Sequence, residues 1–290
     1  MTAMLSRLIV DFAYRIGDEI GAKAVMYWID VDQNPGIVNE GKSSAQTILV
    51  TRGDKEIPED LVKSSSILKI PNLKLTRVGQ IKIAITKGIA MGLLKKGDKV
   101  VCLTGIPKFG YVDSIMIIDV GREFEILTSE YITSIFEGLQ PEVFEAVLNI
   151  ALELGSQGRE GRSVGTIFIL GDHERVLQYS RQIIINPFAG YQEEEKNILN
   201  PALKDTIKEF SALDGAFIIK SNGVLMTAGS HISAALESKD FPKGLGSRHL
   251  AAAGITAVTD AVAVVVSEST GTVRVFKKGR IIVSIEKPVE

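Results

Sequence analysis

The chain holds one cysteine, Cys102, among its 290 residues. No internal disulfide can form, and a lone thiol fits a reducing, cytoplasmic setting. Long apolar runs are missing as well: Lys82 and Lys87 interrupt one of the longest stretches and Asp260 another, so none reaches the roughly 20 residues of a membrane-spanning helix. Residues 1–11 lack a basic segment leading into a pure apolar stretch and a small-residue cleavage site, so no secretory signal is expected. Nor is there an excess of either charge. The balance of 33 Lys+Arg against 35 Asp+Glu, a formal net charge of −2, gives no cationic surface of the kind that displaces counterions from duplex nucleic acid. Any nucleotide bound is expected to be a small one. No internal repeat or low-complexity tract is visible.

What is present is core. With 45% apolar and 23% charged residues, the chain supplies enough buried material for two domains. The charge shifts midway: residues 1–122 carry 17 Lys+Arg and 13 Asp+Glu, and residues 123–290 carry 16 and 22. In the first part Leu8, Ile9, Phe12, Ile16 and Ile20 recur at helical spacing, followed by a strand-length apolar run at 24–29. Further strands are expected at 46–50 and 67–70, a helix at 80–94, and a strand pair at 99–104 and 114–120. Alternation of this kind predicts an α/β layer with a mostly parallel sheet and flanking helices.

This part resembles the C-terminal domain of pyruvate kinase, most closely over residues 84–120, which include "GIAMGLLKKGDKVVCLTGIPKFGYVDSIMIIDV". The resemblance implies a fold and no catalytic centre. Pyruvate kinases that bind a sugar phosphate in this domain cradle it after the first strand, where this chain has Asp30 and Asp32, and carboxylates repel phosphate. A structural or oligomerising role and a regulatory ligand site both remain open.

In the second part, helices are expected at 141–154, 174–184, 193–210 and 249–254, with strands at 165–170, 216–220, 224–227, 261–266, 273–277 and 280–285. Three clusters of small and polar residues punctuate the strand ends. Asp214-Gly215-Ala216 leaves bare backbone beside a carboxylate suited to a hydroxyl or hard metal, although Asp-Gly also makes ordinary turns. Gly246-Ser247-Arg248-His249 stands at a loop-to-helix junction, where amide donors and cationic side chains suit a polyphosphate, or where Ser247 is simply a cap. Ser267-Glu268-Ser269-Thr270-Gly271 follows a continuous apolar strand and either emerges at the sheet edge or begins a turn.

Together the clusters resemble the diadenylate cyclase domain, whose pattern is Asp-Gly-Ala, then Gly-Thr-Arg-His-Arg, then Ser-Glu-Glu-Thr-Gly. Here the chain reads "LDGAFIIKSNG" and then "GLGSRHLAAAGITAVTDAVAVVVSESTGTVRVFKKG", with order and spacing intact. Joined to a pyruvate-kinase-like first domain, it looks like the archaeal type. The resemblance implies a mixed-sheet α/β domain over 123–290 that condenses two ATP into cyclic di-AMP, each 3′-hydroxyl attacking the other ATP's α-phosphate across a face-to-face dimer. It implies a divalent metal, manganese before magnesium or cobalt, held by Asp214 and Glu268. It places Ser247, Arg248, His249 and Ser267 at the phosphates, Gly215 and Ala216 beside the nucleotide, and His231 either on adenine or merely solvated. Leu250 replaces the family's second arginine, Ser247 replaces threonine, and Ser269 replaces a glutamate. His173 reads as a cap or surface residue. The competing readings are a non-catalytic adenine-nucleotide sensor and a polymer-forming nucleotidyltransferase, the latter disfavoured by the acidic second half.

Overall fold

The computed structural model describes residues 2–32, 36, 38, 43–53, 57–73, 75–121, 135–234 and 244–287. The chain divides into two compact units, Met1–Leu127 and Thr128–Glu290. The boundary expected at 122/123 lies outside the described residues.

The first unit is built on a five-stranded sheet ordered β3-β2-β1-β4-β5. Strands β1 (Ala24–Trp28), β2 (Gln46–Thr51), β3 (Ser66–Lys69) and β4 (Lys99–Thr104) pair in parallel, and β5 (Ser114–Asp119) closes the sheet antiparallel to β4. Every residue of β1 is buried, the pattern of a strand covered on both faces. Among the described residues the unit's α-helices are α1 (Thr2–Ile20), α2 (Glu59–Ser64) and α3 (Arg77–Ala90). Helix α3 begins where Thr76 accepts a bond from the Gly79 amide.

Helix α1 forms as the spacing predicts, but a different face is buried. Ser6, Val10, Ala13, Tyr14 and Gly17 meet the rest of the unit, whereas Leu8 and Phe12 stay about half exposed. The small residues explain this: they bring the helix axis close to the sheet, and a Cβ on Gly17 would already touch Val25. The two aspartates after β1 are engaged internally. Asp30 accepts from the Arg52 amide and the Thr51 hydroxyl, and buried Asp32 accepts from Tyr27.

The second unit has a seven-stranded mixed sheet ordered β12-β11-β10-β6-β8-β9-β7. Its strands are β6 (Thr166–Leu170), β7 (Ser180–Gln182), β8 (Ala216–Ile219), β9 (Leu225–Ile232), β10 (Val262–Val266), β11 (Val273–Lys277) and β12 (Arg280–Ile285). Among the described residues, only β6 and β8 of this sheet pair in parallel. Helix α7 (Ser247–Val258) lays Ala252, Ala253 and Ile255 on Ile167, Ala216, Ala263 and Val265, residues of one buried cluster. Helix α4 (Pro141–Gln157) packs on β10 and β11, and Phe168 and Phe217 stack at 5.0 Å between ring centroids, worth about 1 kcal/mol beyond their area.

Two expected helices are shorter than the sequence pattern indicated. Helix α5 (His173–Gln178) stops, and residues expected to continue it to 184 turn into β7, which pairs with β9. The β-branched run Ile183-Ile184-Ile185 that follows β7 disfavours continuation of the helix through 184. The helix expected over 193–210 is reduced to α6 (Lys204–Phe210), preceded by a 3-10 turn at Pro201–Leu203. Pro201 cannot donate inside a helix, and Asn200 instead caps the turn by accepting from the Ala202 amide.

Candidate active site

The chain enters β8 through Asp214 and Gly215. Gly215 has φ +106°, and a Cβ there would lie 2.6 Å from the Gly229 carbonyl carbon of β9. Bare backbone at this point serves the close approach of two strands, and Gly215 also lines the cavity at the start of α7. The same tight turn leaves the Asp214 side chain 83% exposed.

Helix α7 begins at Ser247 with Gly246 at its cap, which contributes no side-chain acceptor. Helix geometry supplies no carbonyl to the amides of Ser247 and Arg248, so both remain available to an anion. A cavity of about 550 Å³ runs from this helix start to the head of β8. Asp214, Gly215, Ala216, His231, Ser247 and Arg248 all line it. Leu250 adds an apolar wall beside Ala251, so its side chain meets the same cavity as Asp214. A second concavity of about 460 Å³ is lined by Ser247, Arg248, His249, Ser267 and Glu268. Each residue that the resemblance puts at metal, phosphate or nucleotide lines one of the two spaces, and Ser247 and Arg248 line both, whereas Thr270, Gly271 and His173 line neither.

Arg248 joins the spaces electrostatically. Its Nη1 donates to Glu268 Oε2 at 3.1 Å, and its Nη2 lies 3.7 Å from Asp214 Oδ1. One guanidinium thus faces two carboxylates contributed by distant parts of the chain. Its buried Nε has no hydrogen-bond partner, an orphan donor that an anionic ligand would satisfy. Glu268 is placed by the loop after β10, which folds back through Gly271 N→Ser267 O and Ser267 N→Thr272 O bonds. That loop touches α4 where two glycines meet: a Cβ on Gly271 would fall 2.2 Å from the Gly155 carbonyl oxygen.

Sequence reasoning missed two residues. The first, Gly165, precedes β6 and makes room for the arginine–glutamate pair. A Cβ there would lie 2.7 Å from Arg248 Nη1 and 2.8 Å from Glu268 Cβ. Gly165→Ala is expected to lower stability by about 1–3 kcal/mol in urea unfolding, because Glu268 must shift along with the flexible arginine tip. Wild-type stability in that variant would contradict the packing account. The second is Arg274 of β11, whose Nη1 stands 3.1 Å from His249 Nε2.

His249 is 5% exposed. Burial, then the neighbouring Arg274 and Arg248 charges, push its pKa down to about 4. Between pH 6.5 and 4 the unfolded chain binds a proton at this histidine that the folded protein does not, so stability falls as pH drops through that window. The loss amounts to up to about 3 kcal/mol. Comparing urea unfolding of wild type and His249→Gln at pH 7 and pH 4.5 isolates it: the variant should lose less on acidification, and an equal loss would contradict the assignment.

Asp214 and Glu268 supply hard oxygen donors on the two sides of Arg248. Among the described residues no group of three or more His, Cys, Asp or Glu converges on one point. Two carboxylates fit a cation that takes its remaining ligands from phosphate and water, as magnesium-type ions do at nucleotides. Among the described residues, no helix is long and apolar enough to cross a membrane.

Comparison with known proteins follows the same division. Residues 153–281 match the family model described as DisA bacterial checkpoint controller nucleotide-binding, and residues 5–128 match that described as probable sensor domain DacZ_P. A diadenylate cyclase of Methanocaldococcus jannaschii is 41% identical over 70% of this chain, and the match spans 64% of that relative. One of Haloferax volcanii is 33% identical over 79% of this chain and 83% of its own length. A pyruvate kinase from Cryptosporidium parvum aligns with 39% of this chain and 22% of its own at 15% identity and a TM-score of 0.33, too low to carry the likeness drawn from residues 84–120. Similarity at this level to a relative matched over most of its length, together with two carboxylates and a helix start grouped around Arg248, places the chain in the diadenylate cyclase family.

Proposed function

We propose that the protein condenses two ATP molecules into cyclic di-AMP with release of two pyrophosphates. The observation that carries this reading is the grouping of Asp214, Ser247 and Arg248 around one cavity, with Glu268 held to the same arginine. The cavity is large enough for a nucleoside, and Ile167, Ile232 and Leu250 give it apolar wall for a base and sugar. The start of α7 and the orphan Nε–H of Arg248 offer donors to the phosphates.

Each turnover forms two phosphodiester bonds. The 3′-oxygen of one ATP attacks the α-phosphorus of the other in line, the P–O bond to pyrophosphate breaks, pyrophosphate leaves with that electron pair, and the hydroxyl proton passes to solvent water. Asp214, at the mouth of the cavity, orients the hydroxyl, and Arg248 with Ser247 holds the α-phosphate. His249 and Ser267 border the polyphosphate side, and His231 borders the far wall. Asp214 and Glu268 are the residues that would hold a divalent cation, manganese being our first choice, which when bound supplies charge neutralisation at the phosphate. Without nucleotide, Arg248 occupies the carboxylates; with nucleotide, the guanidinium turns to phosphate, an exchange between like-charged partners. Orientation and electrostatic stabilisation supply most of the rate.

One cavity holds one ATP and half of the reaction, so two cyclase units must meet face to face, and the working protein is a homo-oligomer. The first unit contributes no catalytic residue and serves assembly or sensing. Incubation of the full chain with ATP and Mn²⁺ should yield cyclic di-AMP and pyrophosphate in a 1:2 ratio. ATP binding without product would leave a nucleotide sensor, and linear oligoadenylate would make the protein a polymerising transferase.

A further inference from the structure

Arg274 belongs to no cluster recognisable in the sequence. It sits on β11 opposite Val265 of β10, and this pairing carries its guanidinium beneath the start of α7. There Nη1 meets His249 Nε2 at 3.1 Å. A guanidinium has only donors, so the ring nitrogen facing it must present its lone pair. The hydrogen bond therefore settles the tautomer: Nε2 accepts and the ring proton is on Nδ1. The imidazole is buried, lies 6.1 Å from the Phe276 ring, and borders the concavity shared by Arg248, Ser267 and Glu268.

We propose that Arg274 is a positioning residue for the phosphate side of the site, locking His249 as a neutral Nδ1–H donor to the bound polyphosphate. The inference rests on the cyclase reading for its ligand, but not for the state of the imidazole. The charged groups facing that ring are Arg274 from β11 and Arg248 from its own helix; Glu286, beyond β12, acts on Arg274, and Glu268 acts on Arg248. Burial, reinforced by the two neighbouring cations, keeps the ring uncharged, so it binds phosphate by a directed hydrogen bond and Arg248 supplies the charge.

The chain has three histidines, which makes the test direct. In ¹⁵N-labelled wild-type protein without nucleotide, long-range proton–nitrogen spectra should show His249 as the Nδ1–H tautomer, neutral down to about pH 5, as the low pKa requires. In Arg274→Ala both tautomers should appear, and the midpoint should rise toward the ordinary value of about 6.5. Arg274→Lys, which keeps donor and charge, should hold the wild-type tautomer. For ATP, Arg274→Ala should raise KM about tenfold at pH 8 with kcat changed less, and Arg274→Lys should recover most of it. If the wild type makes no product, the dissociation constant for ATP replaces KM, so failure of the cyclase reading is seen separately. An Nε2–H tautomer in the wild type overturns the proposal, as does an unchanged imidazole in Arg274→Ala. So does a changed imidazole with unaltered affinity for ATP.

Discussion

Asp214→Asn should lower cyclic di-AMP formation by at least about 10³-fold while leaving the fold intact. The substitution keeps shape and hydrogen-bonding capacity but removes the charge that would hold a cation and orient the attacking hydroxyl. Stability should change by less than about 0.5 kcal/mol, because the side chain is 83% exposed and its ion pair with Arg248 is long, at 3.7 Å. Product formation with ATP and Mn²⁺, followed by thermal unfolding of the same samples, separates the two effects. A fully active variant would remove Asp214 from the chemistry. A variant that loses activity only by unfolding would make Asp214 a structural residue, contrary to its exposure.

Arg248→Ala should raise the KM for ATP by about 10²-fold, with a further fall in kcat. The change removes a cation that faces both Asp214 and Glu268, so an incoming triphosphate meets two carboxylates that have lost this partner. Arg248→Lys should recover no more than about tenfold of the loss, since an ammonium is a point charge and cannot spread donors over two partners as the guanidinium does. Initial-rate measurements across ATP concentration read this split. Equal behaviour of the lysine and arginine proteins would show that only net charge matters at this position and that the bridging geometry is incidental.

Much of this architecture was legible because strong local signals agreed with the final packing. Continuous apolar runs at β6 and β10 read as buried strands, and β10 delivers Ser267 and Glu268 to the sheet end. The Ser-Arg-His segment read as a helix start, and α7 does begin at Ser247. Failures came where tertiary context decides. The segment after α5 was expected to stay helical to 184, yet pairing with the edge of β9 draws Ser180–Gln182 into a strand. The buried face of α1 was set by close approach through Ser6, Ala13 and Gly17, which periodicity of large apolar residues does not register. Gly165 and Arg274 were invisible for a related reason. Neither carries a motif, and only the register of β10 on β11, and the place of β6 beside β10, sets them against Arg248 and His249.

The central claim is that Asp214 and Arg248, brought together from two separate stretches of sequence, act on one nucleotide. A crystal structure of the full chain with α,β-methylene-ATP, which retains the 3′-hydroxyl but cannot release pyrophosphate, tests it most directly. We expect the adenosine in the cavity between β8 and α7, the ribose beside Asp214, and the α-phosphate within hydrogen-bond distance of Arg248. A nucleotide seated elsewhere, with the Arg248 guanidinium still bound to Asp214 and Glu268, would contradict the account.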